Sequence, residues 1–203
     1  MKKKTLISLN VLIIILEIIS AFMSAKEFSF RLFTYYTQYS NVLTLISSLL
    51  LVIGLFKNKI PKWLKFFRYI TVNMMIITFF VVALILVPML VYSIGIKGFM
   101  MFTYRSMLFN HLICPILLLI SYVFFERWNP ITRKDSLYVL IPTLTYGITM
   151  IILNLLRIVE GPYPFFKVYE QSICMISICV IGIIILSHSV SLIIFKISKY
   201  NLK

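Results

Sequence analysis

The chain has 203 residues, of which 61% are hydrophobic and 13% carry a charge. A water-soluble domain has roughly 45–50% apolar and about 25% charged residues, so this composition excludes one and indicates an integral membrane protein. Twenty Lys and Arg stand against six Asp and Glu, which gives a formal net charge of +14. Positive residues beside membrane spans are favoured by topology and by anionic headgroups, so the basic charge does not indicate nucleic-acid binding.

Six apolar stretches follow one another along the chain, each long enough for a helix of about 20 residues that crosses a membrane. They cover residues 5–23, 34–56, 67–93, 107–125, 137–156 and 172–195. Together they leave only short tails and loops, without room for a large soluble domain. We therefore predict an all-α fold in which residues 1–203 form a single bundle of six transmembrane helices.

The distribution of Lys and Arg predicts the orientation of this bundle. Fourteen of the twenty lie in the two tails and in the loops 57–68 and 126–136. The positive-inside rule then places both termini in the cytoplasm, with residues 24–33, 94–106 and 157–171 on the outer side. We expect a multi-pass protein of the cell membrane and, for so basic and compact a chain, of a bacterial plasma membrane. The fourteen residues are Lys2, Lys3, Lys4, Lys57, Lys59, Lys62, Lys65, Arg68, Arg127, Arg133, Lys134, Lys196, Lys199 and Lys203.

The second apolar stretch opens with polar residues at helical spacing, and these form one continuous face on an otherwise apolar rod. Such a face in lipid turns toward the bundle interior. One interpretation is that the side chains only join helices through hydrogen bonds, each worth about 1 kcal/mol. The other is that they line a functional pocket. The residues are Thr37, Ser40, Asn41, Thr44 and Ser48.

The fourth stretch opens with Asn110 and His111, four residues before Pro115. Proline lacks an N–H group, so the carbonyl of His111 loses its helical partner and the helix is expected to kink there. An ionisable side chain inside a membrane is expensive unless it faces the bundle interior or water, which favours a function for His111. The alternative is a neutral imidazole that is hydrogen-bonded to a neighbouring helix.

The outer segment 157–166 contains two prolines and three aromatic residues, among them Tyr163. This composition predicts a rigid turn rather than a helix. Its rings either anchor the chain at the membrane interface or form a wall over a site.

Thr37, His111 and Tyr163 are all predicted to lie near the outer membrane face. A threonine hydroxyl is too weakly acidic to attack an ester unaided, and a neighbouring imidazole can take its proton and return it to the leaving group. Asn41, Asn110 or backbone N–H groups are candidates for stabilising the oxyanion. The three positions therefore predict a nucleophile, a base and a covering wall.

These motifs resemble the androgen-induced membrane hydrolases and their bacterial relatives. The resemblance rests on Thr37-x-x-Ser40-Asn41, on His111 shortly before Pro115, and on the Tyr163-Pro164-Phe165 turn. It implies a six-helix fold, Thr37 as nucleophile, His111 as base, and hydrolysis of fatty acid esters of hydroxy fatty acids.

Several further residues are candidates for contact with a substrate. Glu17 is the one acidic residue well inside a span, where it either orients His111 as a third triad member, stays protonated, or pairs with a neighbouring side chain. Arg105 precedes the fourth stretch and either holds a carboxylate or phosphate headgroup or marks the membrane boundary. The predicted substrate-binding set is Ser40, Asn41, Asn110, Arg105, Tyr163 and Glu17.

The leading hypothesis is a membrane hydrolase or acyltransferase that acts on a lipid or fatty-acyl ester from the outer side. We expect membrane lipids as its surroundings and no metal, cofactor or nucleic acid. The first alternative is a non-catalytic binding protein or carrier that holds a small amphiphile in the same polar pocket. The second is a structural or partner-binding membrane subunit. The oligomeric state is left open.

Overall fold

The computed structural model describes residues 2–126 and 132–200. The described chain is all-helical, with six helices long and apolar enough to cross a membrane. This confirms the predicted all-helical class and the predicted number of helices that are able to span a membrane. We number them span 1 (Lys3–Thr34), span 2 (Tyr36–Phe56), span 3 (Lys62–Thr103), span 4 (Ser106–Phe125), span 5 (Asp135–Leu155) and span 6 (Ile173–Lys199).

Two spans run further than the apolar stretches predict. Span 1 consists of the α-helix Lys2–Phe28 followed by the 3-10 helix Ser29–Thr34, so most of the expected outer segment 24–33 is helical. Span 3 continues through the α-helix Val87–Ile94 and the 3-10 helix Gly95–Phe99 into the short α-helix Met100–Thr103. Most of the expected outer segment 94–106 is therefore helical as well.

The last part of span 3 folds back on itself at Gly95. This residue has a φ of 67°, a left-handed conformation that glycine adopts without a steric penalty. Gly98 then lies so close to the preceding turn that a Cβ there would be 2.5 Å from the backbone nitrogen of Val91. The two glycines thus allow residues 95–103 to pack against the helix that they follow, which brings Met101 toward the bundle.

Three turns of the bundle are π-helical, with a wider backbone than an α-helix: Val82–Leu86, Phe109–Ile113 and Ser121–Phe125. The first two directly precede the turns that contain Pro88 and Pro115. A proline ring clashes with the carbonyl four residues earlier in a regular α-helix, and a π-turn relieves this conflict. The irregularity expected from Pro115 is therefore the π-turn that contains His111.

The two ends of the bundle differ in charge. The Lys3 ammonium donates a hydrogen bond of 2.5 Å to Asn58, which places the N-terminus beside the loop between spans 2 and 3. We call this the basic end. At the other end, which we call the site end, the Tyr146 hydroxyl donates to the carbonyl of Thr34, and the Ser106 hydroxyl donates to Glu27.

Arg68 lies where the predicted loop 57–68 overlaps the predicted apolar stretch 67–93, and the structure places it inside the helix. It has no exposed surface, because Glu126, immediately after span 4, pairs with it. Span 3 begins earlier than predicted, at Lys62. Of the other basic residues used for the orientation, Arg127 and Lys203 lie outside the described residues.

Span 3 supplies much of the buried core, where Tyr69, Val72, Met75 and Ile77 are at most 1% exposed. Large apolar side chains on the outside of the bundle remain exposed, as expected of a surface that contacts lipid tails. Examples are Phe22, Leu84 and Ile181.

Candidate active site

The first turn of span 2 carries Thr37, whose side chain is almost fully buried. Its hydroxyl oxygen lies 3.4 Å from Nε2 of His111, which comes from the π-turn of span 4. The same oxygen lies 3.5 Å from the hydroxyl of Tyr163. Three residues that are far apart in sequence and were predicted to share one face are thus in mutual contact through Thr37.

The tautomer of His111 follows from its second nitrogen. Nδ1 lies 2.7 Å from the backbone carbonyl of Met101. A carbonyl only accepts hydrogen bonds, so Nδ1 carries the hydrogen in the neutral ring and Nε2 is left as an acceptor. The nitrogen that faces the Thr37 hydroxyl is therefore the one able to take its proton.

Tyr163 lies in the turn between spans 5 and 6, just before the 3-10 helix Pro164–Phe166. Its ring stacks on Phe165 with centroids 5.2 Å apart, and Tyr35 contacts it edge-on at 5.9 Å. Burial raises the pKa of the Tyr163 hydroxyl, while its contact with Thr37 opposes the rise. The hydroxyl therefore remains a neutral hydrogen-bond donor at the pH of a cell.

Two cavities meet at this cluster. The larger, of about 460 Å³, lies at the site end and is lined by Thr37, His111, Tyr163, Asn110 and Gln38 together with apolar side chains. Prominent among the apolar ones are the methionines Met89, Met101 and Met107.

The smaller cavity, of about 90 Å³, is a groove between spans 3, 5 and 6 with a mostly apolar lining that includes Ile77, Ile148 and Ile183. Three residues line both cavities: Thr37, Leu86 and Tyr163. The Thr37 hydroxyl thus lies where the larger cavity, which has several polar side chains in its wall, meets the apolar groove.

Ser40 and Asn41, on the polar face of span 2, bond to neighbouring groups and line neither of these two cavities. The Ser40 hydroxyl bonds to the carbonyl of Thr37 and to the hydroxyl of Thr78 on span 3, at 2.9 and 3.0 Å. The Asn41 amide donates to the carbonyl of Thr37 at 2.7 Å. Neither side chain lines the larger cavity, so the structure does not bring Ser40 or Asn41 to the place predicted for substrate.

Arg105 also lies away from the larger cavity. Its guanidinium is over the ring of Tyr104, 4.9 Å from the centroid, and the residue is exposed. This contact holds the cation at the surface.

Glu17 does not orient His111, because Met101 occupies Nδ1 of that ring. The Glu17 carboxyl instead contacts the thiol of Cys114, one turn further along span 4. The predicted triad role is therefore filled by a backbone carbonyl from the folded-back end of span 3.

Asn110 does line the larger cavity, as predicted for a substrate-binding residue. Its amide nitrogen donates to the Ser24 hydroxyl at 3.0 Å, and its amide oxygen accepts from the Ser20 hydroxyl. These bonds to span 1 fix the start of span 4 beside His111.

Two contributors to the site were missed in the sequence. Gln38 directly follows Thr37 and lines the larger cavity, and its position in the polar opening of span 2 was the available signal. Met101 acts through its backbone carbonyl, a group that every residue carries, so its side chain gave no signal. Only the reversal at Gly95 identifies it.

In comparisons with known proteins, no protein-family model, no curated protein and no solved structure matches this chain.

Proposed function

We propose that the protein is an integral membrane hydrolase that cleaves a lipid or fatty-acyl ester with Thr37 as nucleophile and His111 as base. One observation carries the proposal: the Thr37 hydroxyl lies 3.4 Å from the imidazole nitrogen that the Met101 carbonyl leaves unprotonated. A hydroxyl, a base and a group that orients the base are the parts that a serine-type triad needs.

The first half of the reaction follows from this arrangement. The Thr37 oxygen bonds to the ester carbonyl carbon while its proton passes to Nε2 of His111. The resulting oxyanion is stabilised by donors that face the cavity, for which the Tyr163 hydroxyl and the Gln38 amide are candidates. The ester C–O bond then breaks, the alcohol leaves with the proton from His111, and an acyl-threonine remains.

Water completes the cycle by the same route. It attacks the acyl carbon as His111 takes its proton, and the threonine oxygen leaves with that proton as the free acid is released. A cavity of about 460 Å³ beside the imidazole has room for this water and for the alcohol part of the substrate. An acceptor alcohol in place of water turns the same steps into acyl transfer.

The two cavities favour a substrate in which one side of the ester is an apolar chain. The groove between spans 3, 5 and 6 accommodates this acyl chain, and the larger cavity at the site end accommodates the other part of the ester. Ile148 lines the groove and is 57% exposed on the outer surface of the bundle. An acyl chain can thus enter sideways from the surrounding lipid.

We further propose that both termini lie in the cytoplasm of a bacterial cell. The site end then faces outward, and the larger cavity is reached from the outer leaflet. The excess of Lys at the basic end supports this orientation. The residue pattern also supports membership of the androgen-induced hydrolase family, with the matched positions Thr37 and His111.

The test is hydrolysis of nitrophenyl acyl esters by the purified protein in detergent. We expect wild type to be active, Thr37→Ser to keep activity within about tenfold, and Thr37→Ala to lose about 10⁴-fold or more. Thr44→Ala is the matched control, since Thr44 is a buried threonine on the same helix that lines neither cavity.

The outcome that refutes the proposal is equal activity of Thr37→Ala and wild type, with both folded. Inactivity of wild type on esters of every chain length, combined with saturable binding of the same esters, refutes it too. That result favours the alternative of a non-catalytic amphiphile carrier, for which the larger cavity also has room.

A further inference from the structure

A third, much smaller cavity lies between spans 1, 2 and 4, away from the Thr37 hydroxyl. Its volume of about 20 Å³ is enough for a single ion or molecule of the size of water. Four polar side chains line it: Glu17, Gln38, Asn41 and Asn110. Neither Thr37 nor His111 is among its lining residues. This pocket, which we call the Glu17 pocket, takes no part in the proton transfer between Thr37 and His111.

Two oxygens in the Glu17 pocket lack hydrogen-bond partners. They are Oε1 of Glu17 and Oδ1 of Asn41, on side chains that are 2% and 5% exposed. A buried polar atom without a partner is costly, and native proteins rarely leave one unexplained. We therefore expect a small ligand in this pocket that interacts with both oxygens.

The amide nitrogens of Asn41 and Asn110 are engaged outside the pocket. The Asn41 amide nitrogen donates to the carbonyl of Thr37 at 2.7 Å, and the Asn110 amide nitrogen donates to Ser24 at 3.0 Å. Among residues 2–126 and 132–200, Glu17 takes part in no ion pair. The oxygens left without a partner are thus those of Glu17 and Asn41, and no cation pairs with the carboxyl group in the described part of the chain.

We propose that the Glu17 pocket binds a small monovalent cation, for which Na⁺ is the probe. The Glu17 carboxylate and the Asn41 amide oxygen are the core ligands, and the amide oxygen of Gln38, which also lines the pocket, completes the set. Hard cations take carboxylate and amide oxygens as ligands. One positive charge balances one buried carboxylate, which otherwise is expensive inside a membrane.

The location of the pocket gives the cation a structural effect. It joins span 1 to the starts of spans 2 and 4, and Gln38 and Asn110 also line the larger cavity. A bound cation therefore fixes the two helix starts that carry Thr37 and His111. The proposal does not rest on ester hydrolysis, because the binding site and its test are independent of Thr37.

The experiment measures thermal unfolding of the purified full chain in detergent. NaCl is compared with N-methylglucamine chloride at equal ionic strength, so that the anion and the ionic strength stay constant and the comparison cation is too large for the pocket. We expect Na⁺ to raise the unfolding temperature of wild type by about 3–6 °C. Binding of radioactive Na⁺ to the same preparation is expected to saturate.

Variants separate this site from general salt effects. Glu17→Gln is expected to lose both the Na⁺-dependent shift and the Na⁺ binding. Asn41→Ala keeps the carboxylate and is expected to need about tenfold more Na⁺ for the same shift. Glu27→Gln is the control, because it removes one charge from the same span while its partner is the Ser106 hydroxyl.

Two outcomes overturn the proposal. One is a wild-type unfolding temperature that is the same in both salts, which means that Glu17 is a neutral, protonated side chain. The other is a Na⁺ response of equal size in wild type, Glu17→Gln and Asn41→Ala, which places the effect elsewhere on the protein.

Discussion

Two buried polar clusters occupy opposite ends of the bundle and differ in how completely they are bonded. At the basic end, Arg68 pairs through two nitrogens with both carboxylate oxygens of Glu126 and donates to Ser48 at 2.9 Å and Ser47 at 3.3 Å. At the site end, the Thr37 hydroxyl has neighbours only at 3.4 and 3.5 Å, and it borders two cavities.

The difference shows two uses of polar side chains in an apolar bundle. The Arg68 cluster ties four spans together, since Ser121 of span 4 bonds to Glu126 and to Asn10 of span 1. The Arg68 guanidinium and the Glu126 carboxylate of this cluster make their hydrogen bonds to neighbouring spans and border none of the cavities described above. The Thr37 cluster instead leaves a hydroxyl and an imidazole loosely engaged, as is common for catalytic groups without substrate. The Thr37 hydroxyl and Nε2 of His111 can therefore form closer hydrogen bonds with a ligand in the cavity.

The largest expected effect is on catalysis at the site end. His111→Ala removes the proton acceptor, and we expect ester hydrolysis to fall by about 10⁴-fold. The free energy of unfolding is expected to change little, because the imidazole makes one close bond, to Met101. Hydrolysis rates and thermal unfolding in detergent, measured on one preparation, check both statements. If the variant unfolded at a much lower temperature than wild type, His111 would be needed for the stability of the fold, and the loss of hydrolysis would not show a catalytic role.

The opposite pattern is expected at the basic end. Glu126→Gln leaves the buried Arg68 charge unpaired, and we expect a loss of about 3–5 kcal/mol in stability. The hydrolytic rate per folded molecule is expected to stay near the wild-type value.

The double variant Arg68→Met with Glu126→Leu is the matched control for that loss. It removes both charges and is expected to recover most of the stability, since a buried ion pair is often replaceable by apolar residues. Thermal unfolding of the single and double variants distinguishes an unpaired charge from lost packing. Equal destabilisation of the two would contradict the role assigned to the pair.

A smaller effect is expected from Tyr163→Phe, which keeps the ring and removes the hydroxyl donor near Thr37. If this hydroxyl stabilises the oxyanion, hydrolysis falls by roughly 10²-fold. Burial raises the pKa of Tyr163 above its ordinary value of about 10. The donor is therefore present below about pH 10, and its contribution is lost only as the pH rises through the higher folded-state pKa. A Tyr163→Phe rate equal to that of wild type at neutral pH would rule out this donor.

The smallest effect tests a single hydroxyl at the basic end. The Tyr69 hydroxyl donates to the carbonyl of Ser191 at 2.7 Å, lies 2.6 Å from the Ser191 hydroxyl, and joins span 3 to span 6. Tyr69→Phe is expected to cost about 1 kcal/mol and to leave hydrolysis unchanged, because interhelical hydrogen bonds in membranes are individually weak. Thermal unfolding checks the cost, and a loss comparable to that of Glu126→Gln would show that the basic end is held by more than the ion pair.

The two clusters also differ in how far the sequence predicts them. Thr37 and His111 are recognisable because a polar face and a histidine interrupt apolar spans, and charge placement alone assigns both to one membrane face. Arg68 and Glu126 are hidden because each lies where an apolar run meets a charged loop. Their pairing, across 58 positions, depends on how spans 3 and 4 pack.

The orienting group of His111 is equally hidden, for a different reason. A backbone carbonyl has no residue identity, and its position depends on the reversal at Gly95 and the close approach at Gly98. The acidic residue predicted for that role, Glu17, lies instead against Cys114 and the small pocket. The spacing within a helix shows which side chains share a face, but not which neighbouring helix that face meets.

The most direct test of the proposed chemistry is covalent labelling with a fluorophosphonate probe, followed by mass spectrometry of the peptides. We predict one adduct on the peptide that contains Thr37, absent in Thr37→Ala, strongly reduced in His111→Ala, and unchanged in Thr44→Ala. Labelling of wild type and Thr37→Ala to the same extent, with both folded, would contradict the assignment of Thr37 as the nucleophile.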